Sequence, residues 1–171
     1  TAEKLPVWYA DPTWIAENNA YRGDITTGKS LTKSLTEGFS DLVDGTLSKL
    51  QQGYDVKAIM WHQGESDCLA PEQLEAYPEQ FLRTMRAFRA ELGDLPIVVG
   101  ELGWPEYGFH GTPAELLREF NRRLPELAAQ LPNCAVVSAA GLTARPDGLH
   151  FTTEALRTLG LRYLEAYKSL L

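Results

Sequence analysis

The sequence predicts an α/β domain: a parallel sheet with helices on both faces, read as the second half of a doubly wound fold. Three observations lead there. Helical and strand patterns alternate along the chain, the strand segments are near-continuously apolar, and the connections are short.

Residues 1–28 carry Trp8, Tyr9, Trp14 and Tyr21 among turn formers, and predict an irregular lead-in with one helical turn after Pro12. From Leu31, apolar residues recur at Leu35, Phe39, Leu42, Val43, Leu47 and Leu50. Intervals of three and four place them on one helix face, and Gly53 stops that helix. Val56 to Trp61 is a short strand. A second helix runs from Pro71 to Leu92, with Leu74, Tyr77, Phe81, Met85, Phe88 and Leu92 on its inner face and Gly93-Asp94 at its end. Leu95 to Gly100 is the second strand. Thr112-Pro113-Ala114-Glu115 reads as a capping box with Pro at the first helical position, opening a helix that runs to Leu131. Ala135 to Ala139 is the third strand, and the last helix runs from Thr153 to the C-terminus. No repeat, low-complexity tract or linker interrupts the pattern, so residues 1–171 read as one domain.

Three strands are few for this architecture. Such sheets usually have five or more, and their ligands sit at the C-terminal strand ends where the strand order reverses. A three-stranded remnant would leave a central strand with an open edge. The expectation is therefore a sheet lacking its first two strands, with an unpaired or foreign-chain edge at the strand from Val56 to Trp61.

Composition narrows the function classes. Lys plus Arg number 16 against 23 Asp plus Glu, a net charge of −7. With no basic cluster, the chain is a poor match for nucleic acid or an anionic membrane. No apolar run approaches the roughly 20 residues of a transmembrane helix. Thr1 is not an initiator residue, which predicts a natural start upstream and leaves targeting unread. Cys68 and Cys134 can pair once at most and form no zinc spacing. Cys134, opening an apolar strand, reads as a buried, inert thiol. No cofactor is implied.

Two segments carry chemistry, and both follow strands. The first is Trp61-His62-Gln63-Gly64-Glu65-Ser66-Asp67; the second is Asp147-Gly148-Leu149-His150-Phe151. Asp147 and His150, three residues apart in a loop, allow a carboxylate to hold the imidazole tautomer while the histidine accepts a proton. In isolation the pair would read as a turn cap and an ordinary loop histidine. In the first segment Gln63 offers amide hydrogens to a developing oxyanion, Gly64 allows close backbone approach, and Glu65 can orient a histidine or bind a sugar hydroxyl. Trp61 on its own reads as core packing.

Together, Lys57-Ala-Ile-Met-Trp-His-Gln-Gly-Glu-Ser-Asp67 and Asp147-Gly-Leu-His-Phe151 resemble the sialate O-acetylesterase and acetylxylan esterase group within the SGNH-hydrolase superfamily. Val98-Val-Gly-Glu-Leu102 and Leu159-Gly-Leu-Arg-Tyr163 extend the resemblance from about Leu31 to the C-terminus. It implies a three-layer, flavodoxin-like fold, removal of acetyl groups from sugars by a serine mechanism, and a secreted or periplasmic setting. Carried over, Gln63 is the oxyanion donor, His150 the general base, and Asp147 or Glu65 the orienting acid. The group's first block, Gly-Gln-Ser-Asn, and its second-block glycine do not occur in this sequence. Both belong to the strands that the topology finds missing, so the resemblance implies a nucleophile from a complementary N-terminal segment or chain.

Ser66 is a poor substitute. Gly64-Glu65-Ser66-Asp67-Cys68 lacks the second glycine of a nucleophile elbow, and Pro71 falls where the elbow's helix should run. Ser40 lies within the first predicted helix. His62 is placed to line the pocket. His110, with Trp104 and Tyr107, fits a sugar-stacking wall or a group of surface aromatics. No short ligand spacing points to a metal. A carbohydrate esterase is thus the leading expectation; the alternative is a non-catalytic carbohydrate-binding or assembly subunit of the same fold.

Overall fold

The computed structural model describes residues 55–103, 113–146 and 150–171. The predicted lead-in and the helix from Leu31 to Leu50 lie outside them. Strands β1 (Ile59–Trp61), β2 (Ile97–Gly100) and β3 (Cys134–Val137) form a parallel sheet in the order β1-β2-β3. After a 3-10 turn at Glu65–Cys68, helix α1 (Pro71–Leu92) leads back to β2. Helix α2 (Ala114–Ala128) links β2 to β3, and α3 (Thr153–Lys168) follows β3.

The strands start and stop for local reasons. Pro96 has no N–H to give, so β2 opens at Ile97 rather than Leu95, while the Pro96 carbonyl accepts from the Ile59 amide at 2.9 Å. β1 is likewise shorter than predicted, beginning at Ile59, and β3 ends at Val137 rather than Ala139. Helix α1 has the predicted bounds, and the Gly93 amide closes it on the Arg89 carbonyl at 2.9 Å. Helix α2 stops at Ala128, and Pro113 is its extended cap residue rather than its first helical one. Thr112 lies outside the described residues. Cys134 is half-buried, not buried as expected, because it opens a strand with a neighbour on one side only among the described residues. Both cysteines are free thiols.

The chain divides into two compact units, Thr1–Val56 with Glu79–Asp94 and Lys57–Pro78 with Leu95–Leu171. In the first, the described part of α1 buries Phe81, Met85 and Phe88, three of the predicted inner-face residues. Leu92, also predicted there, is half-buried.

In the second unit the sheet register decides which residues meet which helix. Val98 lies beside Ala135 and Gly100 beside Val137, so these four share one face of the pleat. That face carries α3: Val98 and Val137 pack with Ala155, Leu159 and Tyr163, spaced four apart on one helical stripe. Ile97 and Val99, both fully buried, point the other way. Helix α2 packs on β3 and buries Leu117, Phe120, Leu124 and Leu127 at intervals of three and four.

Helix α3 depends on its first turn. Thr152 accepts from the Ala155 amide at 3.2 Å through its hydroxyl, while its own amide donates to the Thr143 carbonyl at 2.9 Å. Thr152→Ala should lower stability by about 1 kcal/mol, the usual worth of such a cap. Thr152→Ser should recover most of it, as read from urea unfolding midpoints.

Candidate active site

Because the strands are parallel, the segments leaving β1, β2 and β3 emerge at one edge of the sheet. The segment after β1 turns at a glycine, its third residue, that no other residue can replace. Gly64 has φ +149°, and a Cβ there would clash with the Phe120 ring of α2 at its Cζ. The Tyr77 ring stacks at a tilt on Phe120, with centroids 4.7 Å apart, and its hydroxyl donates to the Gln63 carbonyl at 3.3 Å. The turn is thus clamped by two buried aromatics.

Tyr163 of α3 clamps the same segment from the other side of the sheet. Its buried hydroxyl donates to the Trp61 carbonyl at 2.7 Å. Burial pushes the phenol well above its ordinary pKa, opposed by a backbone hydrogen bond at Gly100, so its single proton stays in place. His62 Nδ1 lies 3.3 Å from the same oxygen. With the phenol proton committed to Trp61, the imidazole must be the donor, which leaves its Nε2 lone pair unprotonated. Burial of the ring lowers the His62 pKa, partly offset by Glu65, so the ring is neutral at pH 7 although the residue remains exposed to solvent. Gly100 makes room for this arrangement: a Cβ there would meet the Tyr163 hydroxyl and His62 Nδ1.

Gln63 and Asp67 close the turn. Gln63 Nε2 donates to Asp67 Oδ2 at 2.7 Å, and the Asp67 amide donates to the Gly64 carbonyl at 3.0 Å. Gln63 Oε1 is buried without a hydrogen-bond partner. Asp67 is only 5% exposed. Burial pushes its carboxyl up to about 6; the Gln63 hydrogen bond pulls it down and the Glu65 charge raises it again. Glu65, half-buried, accepts from the Gly64 amide at 3.1 Å. Cys68 is buried beside these acids, and burial lifts its thiol far above the ordinary range, so it is no nucleophile.

His150 flanks an isolated antiparallel bridge. The Arg145 amide donates to its carbonyl at 2.7 Å, and Ala144 bridges to Phe151. Its side chain is exposed. Phe151 is buried and meets the His62 ring edge-on, centroids 5.8 Å apart. The two predicted motifs therefore touch through His62 and Phe151. Asp147, Trp104 and His110 lie outside the described residues. Among the described residues, no group of three or more His, Cys, Asp or Glu side chains is arranged to hold a metal ion.

The family model described as carbohydrate esterase, sialic acid-specific acetylesterase, matches residues 25–169. The chain belongs to this carbohydrate esterase family. It is 32% identical over 133 residues to an Arabidopsis thaliana protein named "Probable carbohydrate esterase", covering 77% of this chain and 47% of that protein. The chain thus spans about half the length of this curated relative. An X-ray structure of the same plant protein matches with a TM-score of 0.64 and 31% identity, over 82% of this chain and 57% of that one. The likeness supports both the family resemblance and the parallel α/β architecture.

Within this esterase-family site, the sequence did not reveal two residues. Asp67 ended the first motif without a role, although its spacing of four from Gln63 is what lets one turn bring the side chains together. Tyr163 stood only within a matching segment; no local signal ties it to Trp61.

The Asp67 carboxyl generates a pH prediction. Its native pKa, about 6, lies above the ordinary 3.8, so the native state binds this proton more tightly than the unfolded chain. The resulting stability is fully present below about pH 4 and is lost as pH rises through 6. About two units correspond to about 3 kcal/mol. Asp67→Asn should therefore gain on the natural chain by up to that amount between pH 4 and 8 in urea unfolding. A stability difference that stays flat across this range would count against the buried charge. Gly64→Ala should fold poorly at any pH, losing about 2–5 kcal/mol from backbone strain and overpacking against Phe120.

Proposed function

We propose that the protein is a serine carbohydrate acetylesterase in which His150 is the general base, Gln63 an oxyanion donor, and Asp147 or Glu65 the orienting acid. The nucleophilic serine comes from a segment outside this chain. The observation that carries the reading is the meeting of the two motifs at the C-terminal edge of a parallel sheet, where His62 rests on the neighbour of His150. Membership of a carbohydrate esterase family supports the substrate class.

The chemistry follows from the residue types. His150 takes the proton of the incoming serine hydroxyl as its oxygen attacks the acetyl carbonyl. The tetrahedral oxyanion is held in part by a Gln63 amide hydrogen, and the sugar hydroxyl departs with the proton from His150. Water, activated by the same imidazole, then releases acetate. An acid at Asp147 or Glu65 stabilises the transient imidazolium. His62, neutral and with Nε2 as its acceptor, suits a sugar hydroxyl, and Trp104 and His110 supply further sugar contacts. Ser66 does not suit the nucleophile's role: it sits inside the 3-10 turn Glu65–Cys68, not on a strand-to-helix elbow.

Aryl acetate hydrolysis tests this in the protein complete with its nucleophile segment. His150→Ala should remove several orders of magnitude of turnover, because triad members act as a unit. Gln63→Ala should cost about 10²–10³-fold, the worth of one oxyanion donor. Of Asp147→Asn and Glu65→Gln, the more damaging identifies the orienting acid. Turnover by residues 1–171 alone, abolished by Ser66→Ala, would overturn this account of the nucleophile.

A further inference from the structure

The Gln63 carboxamide has two ends, and only one is useful to an oxyanion. An amide presents a donor NH2 on one side and an acceptor oxygen on the other, nearly identical in shape. Turned about its terminal bond, it would replace a donor with lone pairs and repel the charge it should stabilise. Something must choose between the two states. In this structure Nε2 donates to Asp67 Oδ2 at 2.7 Å, while Oε1 is buried with no hydrogen-bond partner. An unpaired buried carbonyl oxygen costs about 1–3 kcal/mol, so Oε1 does not hold the amide in place. The reversed amide would set Oε1 against the carboxylate, oxygen to oxygen, which is worse. Around neutral pH Asp67 is mostly ionised, with its carboxyl at about 6, and accepts only.

We propose that Asp67 is a positioning residue for catalysis: it captures one Nε2 hydrogen of Gln63 and so holds the second hydrogen, rather than the carbonyl oxygen, ready for the oxyanion. The inference rests on the reading of Gln63 as an oxyanion donor. Asp67 itself touches no reacting atom. It is well placed to be rigid, because its own amide is tied to the Gly64 carbonyl at 3.0 Å and its side chain is buried in the 3-10 turn.

Asp67→Asn is the discriminating variant, since an asparagine pairs with either end of the glutamine amide and removes the choice while keeping the shape. In the protein complete with its nucleophile segment and with an aryl acetate as substrate, kcat should fall, by at most the about 10²–10³-fold of Gln63→Ala, with KM unchanged. Adding Gln63→Ala to Asp67→Asn should then cost much less than Gln63→Ala alone. A merely structural role would give independent, multiplying losses, and that result would overturn the proposal. Wild-type kcat in Asp67→Asn, with Gln63→Ala still impaired, would overturn the positioning role and leave the oxyanion reading standing. Full activity in Gln63→Ala would sink both. A measurement on the unmutated protein keeps the test open if the variant does not fold. Scalar coupling across the hydrogen bond, from Gln63 15Nε2 to the Asp67 carboxylate carbon, should be seen by NMR at pH 7.5. Its absence, with the Gln63 amide flipping freely, would overturn the proposal.

Discussion

A single buried hydroxyl organises the described site. Tyr163 reaches from α3 to the Trp61 carbonyl at the end of β1, joining residues 102 apart in the chain. The distance can be closed only because β2, lying between β1 and β3, ends in Gly100 at that level. Any side chain there would separate Tyr163 from His62. One bond thus fixes the height at which β1 ends, the tautomer of His62, and the seat of the imidazole against Phe151. The sheet supplies the frame; this contact decides where the first residue of the strand-exit turn points.

The turn itself is built from opposing demands. Of its carboxylates, Asp67 is nearly out of solvent and feels the charge of Glu65. Isolated burial of that kind drives a carboxyl to its neutral form. Here a hydrogen bond from Gln63 opposes the shift, which ends near 6 rather than higher. On the other side of the turn, Phe120 and Tyr77 leave no room at Gly64, so the backbone cannot relax to accommodate a different arrangement. Rigid packing on one flank and a charged hydrogen bond on the other leave the Gln63 amide little freedom.

What the sequence made legible was whatever has a period or a local chemical signature. The apolar stripe from Leu74 to Phe88 predicted α1 and its inner face, because one-sided burial imposes helical spacing whatever lies opposite. Strand ends were less legible: Pro96 trims β2 by a rule of hydrogen-bond supply, while β1 starts and β3 stops where pairing does, a tertiary fact. The motif around Gln63 stood out because amide, glycine, carboxylate and hydroxyl follow one another just after a strand. Tyr163 did not, since an aromatic on a core stripe looks like packing until its hydroxyl partner is known. Asp67 was hidden for another reason. A carboxylate at the start of a short helical turn reads as solvated, and only the fold reveals that it is buried.

That burial calls for an explanation in function rather than stability. An ionised Asp67 disfavours the native state by about 3 kcal/mol at neutral pH relative to its protonated form, a sizeable share of a domain's net stability. An apolar residue in the same place would avoid that cost. It would also leave the Gln63 amide free to turn its buried, unpaired oxygen towards the nearest donor. The carboxylate is the side chain that accepts from Nε2 and repels Oε1, so it discriminates between the two ends of the amide where an asparagine or a hydroxyl would serve either. If Gln63 is the oxyanion donor proposed above, a destabilising charge retained beside it trades folding energy for transition-state complementarity. On this argument Asp67 is explained by the orientation of the Gln63 amide and not by the packing of the turn.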